Sequence, residues 1–181
     1  ELTMQVHRLP EYKVFEGWLF PDFESGVAAI HECMRMGIMP MITRLNDPGK
    51  TALSAAFKKP DTGLKAQIGA ALKWYLRTIK GFDFTQCCMM TTACEGDYDT
   101  FHQQRRESAY IFKRHRGVCL GEGPGRSFQE AKYDFPHVRD YLMNRGVMGD
   151  VSETATTWDN LLTLYTHTLE NIRQAIRDTG A

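Results

Sequence analysis

The alternation of apolar and polar residues divides the chain into short apolar runs and longer stretches with helical spacing. Four runs rich in β-branched, aromatic or sulfur-containing residues are predicted as strands. These strands cover residues 12–20, 38–45, 84–93 and 117–121. The stretches between them repeat their apolar residues every three or four positions, which is typical of helices that bury one face.

The predicted helices carry sequence signals at their ends. Asp22 and Asp97 each precede a helix, where a side-chain oxygen can accept the free backbone N–H groups of the first turn. Gly37 and Gly81 each follow a helix, where glycine most readily adopts the left-handed end conformation. These signals predict helices over 23–34, 64–79 and about 98–115.

Two segments are predicted as irregular. Residues 50–63 show no clear period, so a loop with no more than one helical turn is expected. Glu122 to Arg126, Glu-Gly-Pro-Gly-Arg, has neither the Walker nor the GxGxxG spacing of phosphate-binding loops. A plain turn is the simpler interpretation, followed by a helix near 127–134.

The chain beyond Pro136 predicts a helix, a strand and a last helix. The first helix carries Arg139 and Asp140, and the strand covers 147–152. The last helix is capped by Thr156 or Thr157 and has an apolar stripe that we expect to face the sheet. The stripe consists of Leu161, Tyr165, Leu169, Ile172 and Ile176.

Along the chain, a strand–helix–strand unit occurs twice, and one further helix connects the two copies. This order predicts an α+β fold, a duplicated ferredoxin-like α/β sandwich with an antiparallel sheet and helices packed on one face. The strand at 147–152 has no closing partner, so we expect the protein to continue beyond Ala181 or another chain to cover that edge. Residues 1–181 are thus predicted as one domain, incomplete at its C-terminal end.

Composition limits the function classes. Lys+Arg and Asp+Glu are both 22, so no net charge favours nucleic acid or an anionic membrane. No apolar run approaches the roughly 20 residues that a membrane-spanning helix needs, and no targeting segment is visible. Five cysteines without CxxC spacing are expected to be reduced.

The remaining polar residues form no catalytic pattern. None of the six histidines has the HExxH spacing or another spacing with Cys or carboxylate typical of a metal site. No Ser or Cys lies in a GxSxG pattern. We therefore expect no metal site and no self-sufficient catalytic residue in this chain.

Two arginines at element ends are candidates for binding an anion. Arg44 lies near the end of the second strand, and Arg139 lies in the helix after Pro136. A guanidinium is permanently charged and its forked donors suit phosphate or carboxylate. The simpler interpretation is a surface ion pair, of Arg139 with Asp140 or of Arg44 with Asp47, and the sequence leaves both interpretations open.

Three more residues lie between the predicted fifth strand and the first turn of the last helix, namely Glu153, Thr154 and Trp158. A polar strand end near an arginine makes these three residues further candidates for lining a pocket. The residues that would bind a cofactor are not identified by the sequence.

Several segments together resemble one family. They are PDFESGVAAI, ITRLND, KGFD with ACEGD, GVCLGEGPGR, and PHVRDYL with GDVSETATTW. They resemble the cap region of type-4 FAD-linked oxidases and transferases of the vanillyl-alcohol-oxidase superfamily and, within it, the alkyldihydroxyacetonephosphate synthases. The likeness runs from about Val14 onward and is most specific between Gly117 and Trp158.

The resemblance implies roles that the residue pattern leaves open. The arginine of the RD motif, Arg139, would bind substrate, and the arginine of the strand-end motif, Arg44, would be important for activity. FAD would be bound mainly by a separate domain of the same polypeptide, which this chain does not contain. The fold implied is the ferredoxin-like cap.

The resemblance also implies a function for the full-length protein. It would exchange the acyl group of acyl-dihydroxyacetone phosphate for a fatty alcohol in ether-lipid synthesis, and this fragment alone would be inactive. The alternative is an FAD-dependent 2-hydroxy-acid dehydrogenase, in which the arginine holds a carboxylate. Glu122 to Arg126 departs from the more polar loop expected of the family, which leaves the exact substrate open.

A non-enzymatic ferredoxin-like module, for example for RNA, is a remote alternative. The neutral charge balance and the lack of an aromatic RNP motif on the strands argue against it. The expected partners are the FAD-binding domain and a lipid-like or hydroxy-acid small molecule, without nucleic acid and with a homodimer left open. The expected location is the peroxisome in a eukaryote and the cytoplasm in a bacterium.

Overall fold

The computed structural model describes residues 2–6, 8–56, 62–131, 135–147 and 153–180. The chain forms two compact units, Glu1–Lys132 and Tyr133–Ala181. The first unit contains β1 (Tyr12–Phe20), α1 (Phe23–Arg35), β2 (Ile42–Leu45), α2 (Pro48–Ala56), α3 (Leu64–Thr78), β3 (Cys88–Gly96), α4 (Tyr98–Arg114), β4 (Val118–Gly121) and α5 (Glu122–Ala131). The second unit contains α6 (Phe135–Met143) and α7 (Trp158–Thr179).

The four strands form one antiparallel sheet in the order β2-β3-β1-β4. At its centre β1 pairs with β3, from Tyr12 opposite Gly96 to Phe20 opposite Cys88. Each strand–helix–strand half skips one strand, because β3 lies between β1 and β2 while β1 lies between β3 and β4. This is the ferredoxin-like arrangement, so the predicted α+β class and antiparallel sheet are confirmed.

One face of the sheet is covered by α1 and α4. Trp18 and Phe20 of β1 point to this face and pack around Phe112 of α4. Both contacts are edge-to-face, with ring centroids 5.1 Å apart for Trp18 and 6.2 Å apart for Phe20. Such pairs add to the stabilisation that burial of the rings already provides.

The two helices on this face begin where the sequence predicts. Asp22 accepts the backbone N–H of Ser25 at 2.7 Å, and Asp97 accepts that of Thr100 at 2.8 Å. Both predicted N-caps are thereby confirmed. Hydrogen bonds from Thr100 hold the pKa of the Asp97 carboxyl below its usual value. The bond from the backbone N–H has the larger effect, and the bond from the side chain has the smaller one.

The opposite face carries a second, smaller cluster. Leu19 of β1 packs there with Leu76 of α3, Phe82 and Cys87. Cys88, the next residue, belongs to the cluster around Phe20 instead. Cys87 lies directly before β3, which begins at Cys88, and the two side chains belong to clusters on opposite faces of the sheet.

Helix α5 also lies on this second face, against β1. A Cβ atom added to Gly17 would be 2.6 Å from the Cβ of Pro124, and one added to Gly125 would be 2.5 Å from the carbonyl carbon of Phe15. Only glycine permits such a close approach of helix to strand. Helices therefore cover both faces of the sheet, whereas the sequence predicted them on one.

Both segments predicted as irregular contain helix. Residues 122–126, predicted as a plain turn, form the first half of α5. Residues 50–56 of the loop predicted over 50–63 belong to α2. Asp47 begins α2 by accepting the N–H of Lys50 at 2.6 Å. Pro48 fits the first helical turn because that position needs no N–H donor.

Two strands differ from their predicted bounds. β2 covers only Ile42–Leu45 of the predicted 38–45, and β3 covers Cys88–Gly96 rather than 84–93. The start of β3 is delayed by a turn at Asp83, which accepts the backbone N–H of Thr85 at 2.9 Å and its hydroxyl at 2.8 Å. Both hydrogen bonds lower the pKa of the Asp83 carboxyl, and the one from the backbone N–H has the larger effect.

In the second unit, α6 begins at Phe135, so Pro136 lies in its first helical turn. Thr157 is the N-cap residue of α7, one of the two predicted. Apart from Val147, the strand predicted over 147–152 lies outside the described residues. No helix in the described part of the chain is long and apolar enough to cross a membrane.

The apolar stripe of α7 is less covered than predicted toward its end. Leu161, Tyr165 and Leu169 are half-buried, whereas Ile172 is 48% exposed and Ile176 is 49% exposed. The packing of this stripe on the sheet stays a prediction.

All five cysteines are free, as expected. Burial is the main cause that raises the pKa of the thiols of Cys33 and Cys88 to about 12 and of Cys87 and Cys94 to about 11. Cys119, on edge strand β4, is exposed. Because the thiolate is the reactive form, the four buried thiols should be inert while the protein is folded.

We expect neutral iodoacetamide at pH 8 to alkylate Cys119 in the folded protein and to spare the other four cysteines of this chain. Partial desolvation of the Cys119 thiol raises its pKa, so the rate of alkylation should increase steadily with pH. In denaturant all five should react. Peptide mass spectrometry measures each site separately, and alkylation of Cys33 or Cys88 as fast as Cys119 before unfolding would show that the core is wrongly described.

Candidate functional site

Arg44 lies on β2, one residue before the strand ends. Its partner across the sheet is Thr91 of β3, which pairs in turn with Gly17 of β1. Residues directly opposite each other in an antiparallel sheet share a face. Arg44 therefore belongs to the face on which α5 lies.

The guanidinium of Arg44 contacts an aromatic ring of α5. Its Cζ atom is 5.6 Å from the centroid of the Phe128 ring, a cation–π contact. Arg44 is exposed and forms no ion pair within the described part of the chain. The alternative pairing with Asp47 is not formed, and the N–H donors of Arg44 are available to a ligand.

The end of β2 that carries Arg44 is tied to β3 by the turn that follows it. The N–H of Asn46 donates to the carbonyl oxygen of Met89 at 2.8 Å. The N–H of Met89 donates to the hydroxyl of Thr51, in α2, at 2.9 Å. These two hydrogen bonds fix the position from which the Arg44 side chain extends.

Arg139 lies on α6 in the second unit. Its Nη2 atom is 3.4 Å from Oδ1 of Asp140, and both side chains are more than half exposed. This is the surface pair that the sequence left as the alternative, and exposed pairs of this kind contribute about 1 kcal/mol at most. The guanidinium is accessible, and its role in substrate binding stays a prediction.

The three weaker pocket candidates also belong to the second unit. Glu153 and Thr154 are exposed, and Trp158 is half-buried at the first turn of α7. Thr157, beside Trp158, accepts a hydrogen bond from the Asn160 amide at 3.1 Å. Nothing in these contacts identifies a ligand, so their assignment to a pocket stays a prediction.

Phe128 is a site residue that the sequence analysis missed. It lies four residues after Pro124, so both project from the same side of α5. Pro124 packs on Gly17 and Phe128 contacts Arg44, and both contacts lie along one row of the sheet. The four-residue spacing could have identified this side of the helix if the segment had been recognised as helical from Glu122.

The glycine-containing segment of α5 does not fit as a cradle for a dinucleotide. Gly125 packs directly on the backbone of Phe15 and Glu16, which leaves no space for a pyrophosphate between helix and strand. No step of flavin chemistry is therefore assigned to these residues. Within the described residues, no three His, Cys, Asp or Glu side chains are grouped as a metal site would require.

Comparison with known proteins identifies the family. The family model for the C-terminal domain of FAD linked oxidases matches residues 9–180. The chain is 33% identical to the alkyldihydroxyacetonephosphate synthase of Trypanosoma brucei brucei and 31% identical to that of Dictyostelium discoideum. Each alignment covers 99% of this chain, and 29% and 30% of the two relatives respectively.

The fold agrees with that assignment. A solved structure of an alkyldihydroxyacetonephosphate synthase superposes with a TM-score of 0.82 at 30% sequence identity, covering 98% of this chain and 32% of that one. The chain therefore spans about a third of the length of the relatives it matches. Since the family model covers nearly all of its residues, the chain belongs to the family of FAD-linked oxidase C-terminal domains.

Proposed function

We propose that this chain is the substrate-binding cap of an FAD-dependent, alkyldihydroxyacetonephosphate synthase-like enzyme. The full-length protein exchanges the acyl group of acyl-dihydroxyacetone phosphate for a fatty alcohol and releases the fatty acid. FAD is bound mainly by another domain of the same polypeptide. Three relatives that are alkyldihydroxyacetonephosphate synthases, 28–33% identical over 99% of this chain, support the proposal.

The observation that carries the proposal is the environment of Arg44. Its guanidinium is exposed, has no carboxylate partner in the described part of the chain, and is held against Phe128. A guanidinium stacked on a ring still presents its N–H groups at its edge, where two of them can donate in parallel to a phosphate. Arg44 would thus neutralise and orient the phosphate of the substrate.

Arg139 is proposed as the second cation for the same substrate. Its present contact, Asp140 at 3.4 Å, is long and exposed. Exchanging such a contact for a phosphate costs little, because an exposed ion pair contributes about 1 kcal/mol at most. Motif likeness to the synthases supports this role.

A 2-hydroxy-acid dehydrogenase is the second candidate function. The feature of Arg44 that favours it is the fork of N–H donors, which suits a carboxylate as well as a phosphate. In that case the substrate would be smaller and would lack a phosphate group. The two candidates therefore differ in the anion that Arg44 binds.

The substrate class is tested with the full-length protein loaded with FAD. We expect acyl-dihydroxyacetone phosphate and a fatty alcohol to give the ether product and free fatty acid. The same acyl compound without its phosphate is the matched control, and its KM should be much higher because the arginines lose their partner. Oxidation of 2-hydroxy acids without any ether product would contradict the synthase assignment.

A further inference from the structure

Helix α3 leaves most of its large apolar side chains outside the core. Leu76 is 2% exposed and packs with Leu19, Phe82 and Cys87. The other large apolar side chains described on α3 and at the residue after it are 37–63% exposed, namely Ile68, Leu72, Trp74, Tyr75 and Ile79. Helices of globular proteins normally bury their apolar side, and an exposed apolar patch of this kind marks an interaction surface.

The exposed side chains form one continuous face of the helix. Successive residues of an α-helix are rotated by about 100°, so Trp74 lies almost opposite Leu76. Ile79, Ile68 and Tyr75 follow one another on the way round from Leu76 to Trp74. We call these four residues, with Trp74, the outer face of α3. No charged residue of the helix lies within this face.

The charges of α3 are all positive. Residues 64–82 contain no Asp or Glu but include four cations, Lys65, Lys73, Arg77 and Lys80. The first carboxylate after the helix is Asp83, and counting it leaves a net charge of four minus one, +3. Lys73, Arg77 and Lys80 are exposed, form no ion pair within the described residues, and lie on the side of the helix next to Trp74. The neutral total charge of the chain therefore conceals a strongly cationic helix.

This combination suits an anionic membrane better than a protein partner. Lysine is depleted in protein–protein interfaces. A second copy of the chain, related by a twofold axis, would bring the same cations together, because such an interface uses the same patch on both subunits. Trp and Tyr, in contrast, favour the level of the lipid headgroups, where the ring is buried and its polar tip stays hydrated.

We propose that α3 lies flat on an anionic lipid surface. The outer face enters the boundary between headgroups and acyl chains, and Lys73, Arg77 and Lys80 contact the anionic headgroups. Helices of this type bind through apolar burial together with attraction to anionic lipid. The lipid surface would lie on the side of the sheet that also carries α5 and Arg44. This inference goes beyond the proposed function and does not depend on it.

Co-sedimentation with lipid vesicles tests the proposal, using the full-length protein loaded with FAD and no substrate. Vesicles of phosphatidylcholine and phosphatidylglycerol in equal parts are compared with vesicles of phosphatidylcholine alone. We expect binding to the mixed vesicles and at least about tenfold weaker binding to phosphatidylcholine alone, because several cations lose their partners. Added sodium chloride should reduce binding to the mixed vesicles, since salt screens exposed charges.

Two variants separate the apolar and the charged contributions. Trp74→Ala removes one ring from the outer face and should lower the vesicle partition coefficient roughly tenfold. Lys73→Gln should lower it roughly fivefold on mixed vesicles and leave it unchanged on phosphatidylcholine alone. Tyr110→Ala and Lys113→Gln are the matched controls, because they replace an exposed ring and an exposed lysine of α4, on the other face of the sheet. Both controls should bind as the wild type does.

Several results would overturn the proposal. They are the absence of wild-type binding to the mixed vesicles, equal binding to both kinds of vesicle, and unchanged binding in Trp74→Ala and Lys73→Gln. If the wild type does not bind and Trp74→Ala lowers the melting temperature, the outer face is covered by another domain of the polypeptide. If Trp74→Ala instead abolishes a dimer, a second copy covers it. Trp74 and Lys73 are exposed, so both replacements leave the packing of Leu76 intact.

Discussion

Replacing Gly125 by alanine is expected to lower the melting temperature strongly and to displace α5 from the sheet. The new Cβ atom would lie 2.5 Å from the carbonyl carbon of Phe15 and 2.6 Å from the backbone nitrogen of Glu16. No side-chain rotation relieves this clash, because both atoms belong to the backbone of the central strand β1. Overpacking typically costs about 1–3 kcal/mol, and we expect the upper end of that range.

Gly123→Ala, in the same helix, is the matched control. A Cβ atom there has no neighbour within 4 Å. Since alanine favours a helix over glycine by up to about 1 kcal/mol, this variant should melt at the same temperature as the wild type or higher. Thermal unfolding of both variants by circular dichroism makes the comparison, and equal melting temperatures would show that α5 does not lie on β1.

The consequences extend to the candidate site. Phe128 lies one turn after Gly125 on α5 and contacts the guanidinium of Arg44. If alanine at position 125 moves the helix outward, Arg44 loses this support. We therefore expect Gly125→Ala to weaken substrate binding in the full-length protein even at temperatures where it remains folded.

The first strand and the helices α1 and α4 could be predicted from the sequence, because the residues that indicate them lie within or next to each element. Asp22 and Asp97 cap α1 and α4 through bonds to residues three positions later. Strand β1 follows directly from its run of aromatic and β-branched residues. The ferredoxin-like order of elements then follows from the alternation of strands and helices.

Helix α5 could not be predicted in the same way. Gly123, Pro124 and Gly125 favour a turn by local propensity, and tertiary contacts override that preference. The contacts in question, of Pro124 with Gly17 and of Gly125 with Phe15, join segments far apart in the sequence. Phe128 could not be assigned to Arg44 for the same reason.

Helix α3 shows a different limit. Its helical spacing predicted the helix correctly. Ile68, Tyr75 and Ile79 recur along one side at that spacing, which indicates this side as the buried one. The structure leaves these three side chains 60%, 40% and 60% exposed, while Leu76, outside this group, is 2% exposed. Periodicity thus identifies a helix. The side of the helix that is buried is set by tertiary contacts, here the packing of Leu76 with Leu19 and Phe82.

The second large effect is expected at Arg44 in the full-length enzyme. Arg44→Lys keeps the positive charge but loses the planar fork and its stacking on Phe128. Hydrogen bonds to charged groups contribute about 1.5–3 kcal/mol, so kcat/KM with the phosphate-bearing substrate should fall roughly tenfold to hundredfold. Arg44→Ala should lose more, and Arg139→Lys should show a loss comparable to that of Arg44→Lys.

Arg114→Lys is the matched control for the loss of an arginine that contacts a ring. The Cζ atom of Arg114 is 5.8 Å from the centroid of the Tyr110 ring, close to the 5.6 Å found for Arg44 and Phe128. It belongs to α4, on the other face of the sheet, and a lysine there can still pair with Glu32. Its kcat/KM should equal that of the wild type.

Steady-state kinetics of Arg44→Lys in the full-length enzyme, with a melting curve beside them, test the central claim most directly. Because Arg44 is exposed and forms no ion pair in the described part of the chain, its replacement should leave the melting temperature nearly unchanged. The account predicts a loss of at least about tenfold in kcat/KM with phosphate-bearing substrate, and a much smaller loss with the substrate that lacks phosphate. Wild-type kinetics with both substrates, at an unchanged melting temperature, would contradict it.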